Sequence, residues 1–132
     1  MDQTTTARAL YLLTGLGFLV VGAQVTLFHY RGNFRNPAMW LPVISAPLLG
    51  LILLYHWATT PVWLLAPLRW FLWLEFLGGL IGFGYHVRGI TQRLGGFKLN
   101  NLLTGPPILL PLLLSFLSIL GLVALAAGGG AV

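Results

Sequence analysis

Four long apolar runs alternate with short polar breaks along the chain, and each run is close to the roughly 20 residues a helix needs to cross the hydrocarbon of a bilayer. The pattern predicts helices over about 9–29, 39–58, 69–87 and 106–126. The third run, "VWLLAPLRWFLWLEFLGGLIGFGYHV", is too long for one span and contains Arg69 and Glu75. Starting that helix at Arg69 puts the guanidinium at the headgroups. It leaves "TTPVWLLAPL", interrupted by Pro61 and Pro67, as an interfacial connector.

Composition narrows the class. Of the 132 residues 58% are hydrophobic and 7% charged, a ratio that a soluble chain of this size has no interior large enough to hide. Irregular backbone is costly in lipid, so the expected fold is an all-α integral membrane protein, a single membrane domain over 1–132. The leader "MDQTTTAR" lacks the charge pattern of a signal peptide and no convincing cleavage site follows it, so the first run is expected to stay in the mature protein. With no cysteine there is no disulfide framework and no thiolate ligand or nucleophile.

Charge sets the orientation. The breaks after the first and third runs carry Arg31, Arg35, Arg88, Arg93 and Lys98, against Arg8 and Arg69 on the other side. The positive-inside bias then places both basic loops in the cytoplasm and both termini outside, in what is expected to be a bacterial inner membrane. The net charge of +5 is spread over two juxtamembrane loops, which suits topology and anionic headgroups and gives no nucleic-acid surface.

An internal repeat carries the most information. His29-Tyr30-Arg31-Gly32 returns 57 positions later as His86-Val87-Arg88-Gly89, and Gly22 and Gly79 keep that offset. Pro37 and Pro42 match Pro106 and Pro111 at an offset of 69. The expected architecture is two parallel-repeated two-helix units, about 9–58 and 69–126, related by an axis along the membrane normal.

On helices these residues form stripes. Glu75, Gly79, Gly82 and His86 share a face of the third helix, as do Gly15, Phe18, Gly22, Thr26 and His29 on the first. Three uses fit that arrangement. The simplest is tight helix packing on small residues, with His and Arg marking the interface. A second is a b-type haem whose iron is held by His29 and His86, with Gly22 and Gly79 making room for the porphyrin and Arg31 and Arg88 facing the propionates. A third is a quinone or lipid-headgroup site built from the same basic residues and Tyr30.

His56 is expected in an outer aromatic belt with Tyr55, Trp57, Trp63, Trp70 and Trp73. Glu75 is a lone charge inside a span, with His56, or a hydroxyl such as Thr14, as candidate partner. Arg69 lies six residues from Glu75, on a different face of the same helix. No nucleotide loop, nucleophile elbow, HExxH motif or working carboxylate pair is present, and "GFGYHVRG" and the terminal "GGG" lack the strand–helix context of dinucleotide loops. The leading expectation is therefore a small integral membrane subunit or anchor of a larger complex, concerned with electron transfer and binding haem b or a quinone on its cytoplasmic side. Its expected partners are membrane lipid, other integral membrane subunits and a cytoplasmic protein docking on the 88–105 loop. The alternative is a compact homo-oligomeric transporter or channel.

Overall fold

A computed structural model describes residues 2–129, so Gly130 of the terminal glycine run lies outside the described residues. The architecture is five α-helices: α1 Gln3–Arg31, α2 Trp40–Thr59, α3 Leu65–Arg93, α4 Leu99–Thr104 and α5 Leu109–Ala127. Short 3₁₀ turns over Pro37–Met39 and Val62–Leu64 lead into α2 and α3. No strand occurs among the described residues, and four helical segments are long and apolar enough to cross a membrane, as in a multi-pass integral membrane protein.

Local chemistry sets the helix ends. Asp2 caps α1, its carboxylate accepting from the Thr5 amide at 2.7 Å and the Thr4 hydroxyl at 2.9 Å, so the helix starts six residues before its apolar run. At about 1.5 Å per residue, α1 is about 44 Å long and extends past a hydrocarbon core of about 30 Å. It stops at Arg31, where Asn33 and Phe34 turn left-handed (φ 56° and 45°). Asn36 then caps the turn into α2, accepting from the Ala38 amide at 2.9 Å, and Phe34 stacks on Trp40 with ring centroids 4.1 Å apart. Thr60, left-handed and followed by Pro61, ends α2.

Helix α3 begins at Leu65 and continues to Arg93, well past both predicted bounds. Gly95 and Gly96 stop it with φ of 77° and 104°, and the Asn101 side-chain amide donates to the Leu94 and Gly96 carbonyls at 2.7 and 2.8 Å. That bond folds the expected loop into the extra helix α4.

Helix α1 packs most extensively on α2, α3 on α5, and α1 on α5, while α2 and α3 touch more lightly. The result is a four-helix bundle with α1 and α3 diagonally opposed. The start of α1 and the end of α5 share one end of it, since a methyl on Gly128 would lie 3.2 Å from the Tyr11 hydroxyl. The other end, the loop end, carries His29 and His86.

Core positions follow the helical period. Ala7, Tyr11, Thr14, Gly15, Phe18, Gly22 and Val25 are buried on α1, and Leu68, Leu72, Glu75, Gly79 and Ile90 on α3. Outward positions such as Leu13, Val20, Leu27, Leu74 and Ile81 are exposed, as lipid-facing leucines are in a bundle of this kind. Close approach of α1 and α2 depends on two glycines: a Cβ on Gly15 would lie 3.1 Å from the Gly50 carbonyl, and one on Gly50 2.9 Å from the Gly15 carbonyl.

Candidate functional site

The half-buried imidazoles of His29 and His86 stand at the loop end of diagonally opposed helices, near enough to interact electrostatically. His86 Nδ1 lies 2.8 Å from the Pro107 carbonyl, where the chain enters α5; as the donor tautomer, it ties α3 to its hairpin partner. The His29 ring faces the Met39 backbone, where the chain enters α2, in a looser contact. Its Nδ1 is buried without a hydrogen-bond partner. His29 lies two residues before the end of α1, while the extended α3 sets His86 nearly two turns inside its helix.

Gly22 and Gly79 do face the bundle, but the space beside each is filled. A Cβ on Gly22 would meet Pro47 Cδ at 3.0 Å and Ala46 Cβ at 3.4 Å, both on α2. One on Gly79 would overlap Ser115 Oγ and lie 2.6 Å from the Pro111 carbonyl, both on α5. Ser115 uses that proximity, donating to the Phe76 carbonyl at 2.8 Å. Both glycines therefore serve helix contact inside their own hairpins, and neither opens a slot between α1 and α3.

The arginines part company with the imidazoles. Arg31 lines a cleft of about 380 Å³ with Phe28, Gly32 and Gly105, and Arg88 a separate one of about 280 Å³ with Tyr85, Gly89 and Asn36. Tyr30 points outward at 73% exposure and joins neither cleft nor imidazole.

Two expectations for the membrane interior are corrected. His56 does not join a surface belt; it is buried, with its ring edge-on to Tyr11 at 4.7 Å and its Nδ1 without a hydrogen-bond partner. It also makes no ion pair with Glu75, whose buried carboxyl faces the Ser45 hydroxyl on α2. Ser45 itself lacks a well-formed hydrogen bond, as does the fully buried Thr14 hydroxyl. Together with Ser118, whose hydroxyl turns back to the Leu114 carbonyl at 2.8 Å, these groups bring polar atoms from all four long helices into the interior. Spacing alone could have found His56, since it continues the buried series Leu49 and Leu53 at steps of four and three. No group of three or more metal-ligating His, Asp or Glu side chains occurs among the described residues.

Fold and site define a helical bundle whose four long helices are apolar enough to cross a membrane, with a few polar groups buried in an apolar interior and a basic loop end. Neither a family model, nor a curated protein, nor a solved structure matches the chain.

Proposed function

We propose that the chain is a small integral membrane subunit, or anchor, of a larger electron-transfer complex, with its loop end on the cytoplasmic side of a bacterial inner membrane and both termini outside. The observation that carries the reading is the placement of His29 and His86 at the same end of opposed helices, one imidazole fixed by a backbone carbonyl and the other with a buried, unpartnered nitrogen. A ring nitrogen bonded to a backbone carbonyl leaves the second nitrogen aimed and available, the usual state of an imidazole that serves a ligand. With Nδ1 donating to Pro107, neutral His86 presents Nε2 as an acceptor, which suits the hydroxyl of a quinol, while His29, whose Nδ1 has no partner, supplies the donor that a quinone carbonyl needs. For haem b the donor set fits, but the filled Gly22 and Gly79 faces supply no porphyrin slot.

The reading includes an internal duplication. At an offset of 57, buried Tyr11, Gly15, Phe18 and Gly22 fall on buried Leu68, Leu72, Glu75 and Gly79; at 69, Ala46 and Leu49 fall on Ser115 and Ser118. Two hairpins of the same membrane orientation account for this register.

Purification of the full chain in mild detergent, with mass spectrometry of what accompanies it, tests the function. Other integral membrane subunits and an extractable quinone are expected, the quinone lost in His29→Ala and His86→Ala. A reducible Soret band lost in those variants would assign haem b instead, and a colourless, quinone-free, partner-free sample would overturn electron transfer. A transporter or channel is the second reading, favoured by the buried Glu75, Ser45, Thr14 and His56. It requires solute or proton flux in vesicles that Glu75→Gln abolishes.

A further inference from the structure

Both acids of the chain, Asp2 and Glu75, lie away from the loop end, where Arg31, Arg35, Arg88, Arg93 and Lys98 are gathered. Neither acidic side chain is placed to neutralise these cations. Two clefts open there, and they are built alike. Phe28, Arg31 and Gly32, from the end of α1, meet Thr104 and Gly105 at the end of α4; Tyr85, Arg88 and Gly89, near the end of α3, meet Asn36 in the loop before α2. The first three residues correspond at the offset of 57, and Asn36 and Gly105 at 69. Each cleft is thus assembled from one hairpin's helix end and the other hairpin's loop, so the pair marks the two seams between hairpins.

We infer that each cleft seats the phosphate of one anionic phospholipid. A guanidinium offers two parallel donors that match a phosphodiester, and a glycine beside it leaves room for the headgroup. Arg31 makes no hydrogen bond or ion pair among the described residues. Arg88 donates through Nε to Gln92 at 2.8 Å, a bond that leaves its terminal nitrogens unused, and both residues line the cleft. Phe28 and Tyr85 line the clefts beside the arginines, tyrosine being a residue type enriched at membrane interfaces, and the exposed Leu103 borders the Arg31 cleft. Both clefts lie toward the ends of helices long and apolar enough to cross a membrane, which favours a lipid headgroup over a dissolved anion. The Arg88 cleft has a second cation, Arg93, and is the tighter of the two. The inference is independent of whether the imidazole pair holds a redox group.

Native mass spectrometry of the detergent-solubilised full chain, titrated with phosphatidylglycerol or with phosphatidylcholine of the same acyl chains, tests it. Two phosphatidylglycerols per chain are expected, each preferred over phosphatidylcholine by about fivefold or more, the effect of one basic residue at an anionic surface. Arg31→Gln should remove one bound lipid, Arg88→Gln with Arg93→Gln the other, and the triple variant both, with helicity unchanged by circular dichroism. Equal retention of the two lipids by the unaltered chain would overturn the inference without reliance on any variant. So would an unchanged stoichiometry in the triple variant, or displacement of the lipid by millimolar inorganic phosphate, which would mark a site for small anions.

Discussion

Replacing Gly79 by alanine separates two uses of a glycine in a membrane helix, since a glycine that receives a neighbouring helix tolerates no methyl and one that leaves space for a flat ligand does. The added Cβ would overlap Ser115 Oγ and stand 2.6 Å from the Pro111 carbonyl and 2.9 Å from the Ser115 amide nitrogen. Two of these atoms are backbone, so relief requires α3 and α5 to move apart. Overpacking of this kind costs roughly 1–3 kcal/mol. Displacing Ser115 also breaks its bond to the Phe76 carbonyl, worth about 1 kcal/mol. Gly78→Ala is the control: it sits on the same helix with nothing within 4 Å of its Cβ, and it gains the same helix propensity. The difference between the variants should therefore be about 2–4 kcal/mol in unfolding free energy, the sum of these two terms. Denaturant unfolding in detergent, followed by circular dichroism, measures it. Equal stabilities would refute the reasoning and leave the Gly79 face free to receive a porphyrin or other planar group.

Three further outcomes follow from the same geometry. Gly22→Ala should fall between those two variants in the same assay, because its closest neighbour is the ring of Pro47 at 3.0 Å and no backbone oxygen. His86→Ala should cost about 1–2 kcal/mol by freeing the Pro107 carbonyl, and hydrogen exchange should rise first at the start of α5; unchanged exchange there would show that the imidazole does not hold that junction. At the opposite end, hydrogen bonds from Thr5 and Thr4 hold the Asp2 carboxyl below its ordinary pKa. A lowered carboxylate pKa stabilises the fold above its unfolded value and loses that contribution as pH falls through the folded one, so the first turn of α1 should fray in acid and be steady near neutrality. Exchange of the Thr5 amide against pH measures this, and Asp2→Asn should flatten the profile.

The parts of the fold that depend on period were legible and the parts that depend on local polar contacts were not. The stripe of Glu75, Gly79, Gly82 and His86 turns inward because steps of four and three stay on one face whatever the neighbours. Hydropathy misses the first turns of α1, since Gln3 to Thr6 are polar and are helical on account of the Asp2 cap. It misses α4 likewise, a six-residue helix fastened by Asn101 to carbonyls that only a folded chain brings near. His56 is buried because its register with Leu49 and Leu53 decides its face, and the tryptophans near it in sequence do not. At the site, sequence paired the arginines with the imidazoles because they are neighbours in the chain; two residues along a helix turn a side chain by about 200 degrees, which sends Arg31 and Arg88 to other faces.

Under the proposed duplication, what is repeated and what is not divides the molecule in two. Histidine, arginine and glycine at the loop end occur in both hairpins, whereas the polar interior does not: Glu75 stands where the first hairpin has Phe18, and His56 and Ser45 stand where the second has Leu125 and Leu114. Duplicated features suit tasks performed twice, such as seating the protein among lipid headgroups. A carboxyl present once, buried among apolar side chains and met only loosely by Ser45, costs stability that packing alone does not require. Glu75→Met keeps the length of the side chain and removes the carboxyl, so it should unfold at higher denaturant than the unaltered chain while still binding two anionic lipids. Lower stability would mean that the carboxyl is a structural element of the bundle. Higher stability, with loss of vesicle flux or of quinone, would place at Glu75 the one feature that neither packing nor lipid seating explains.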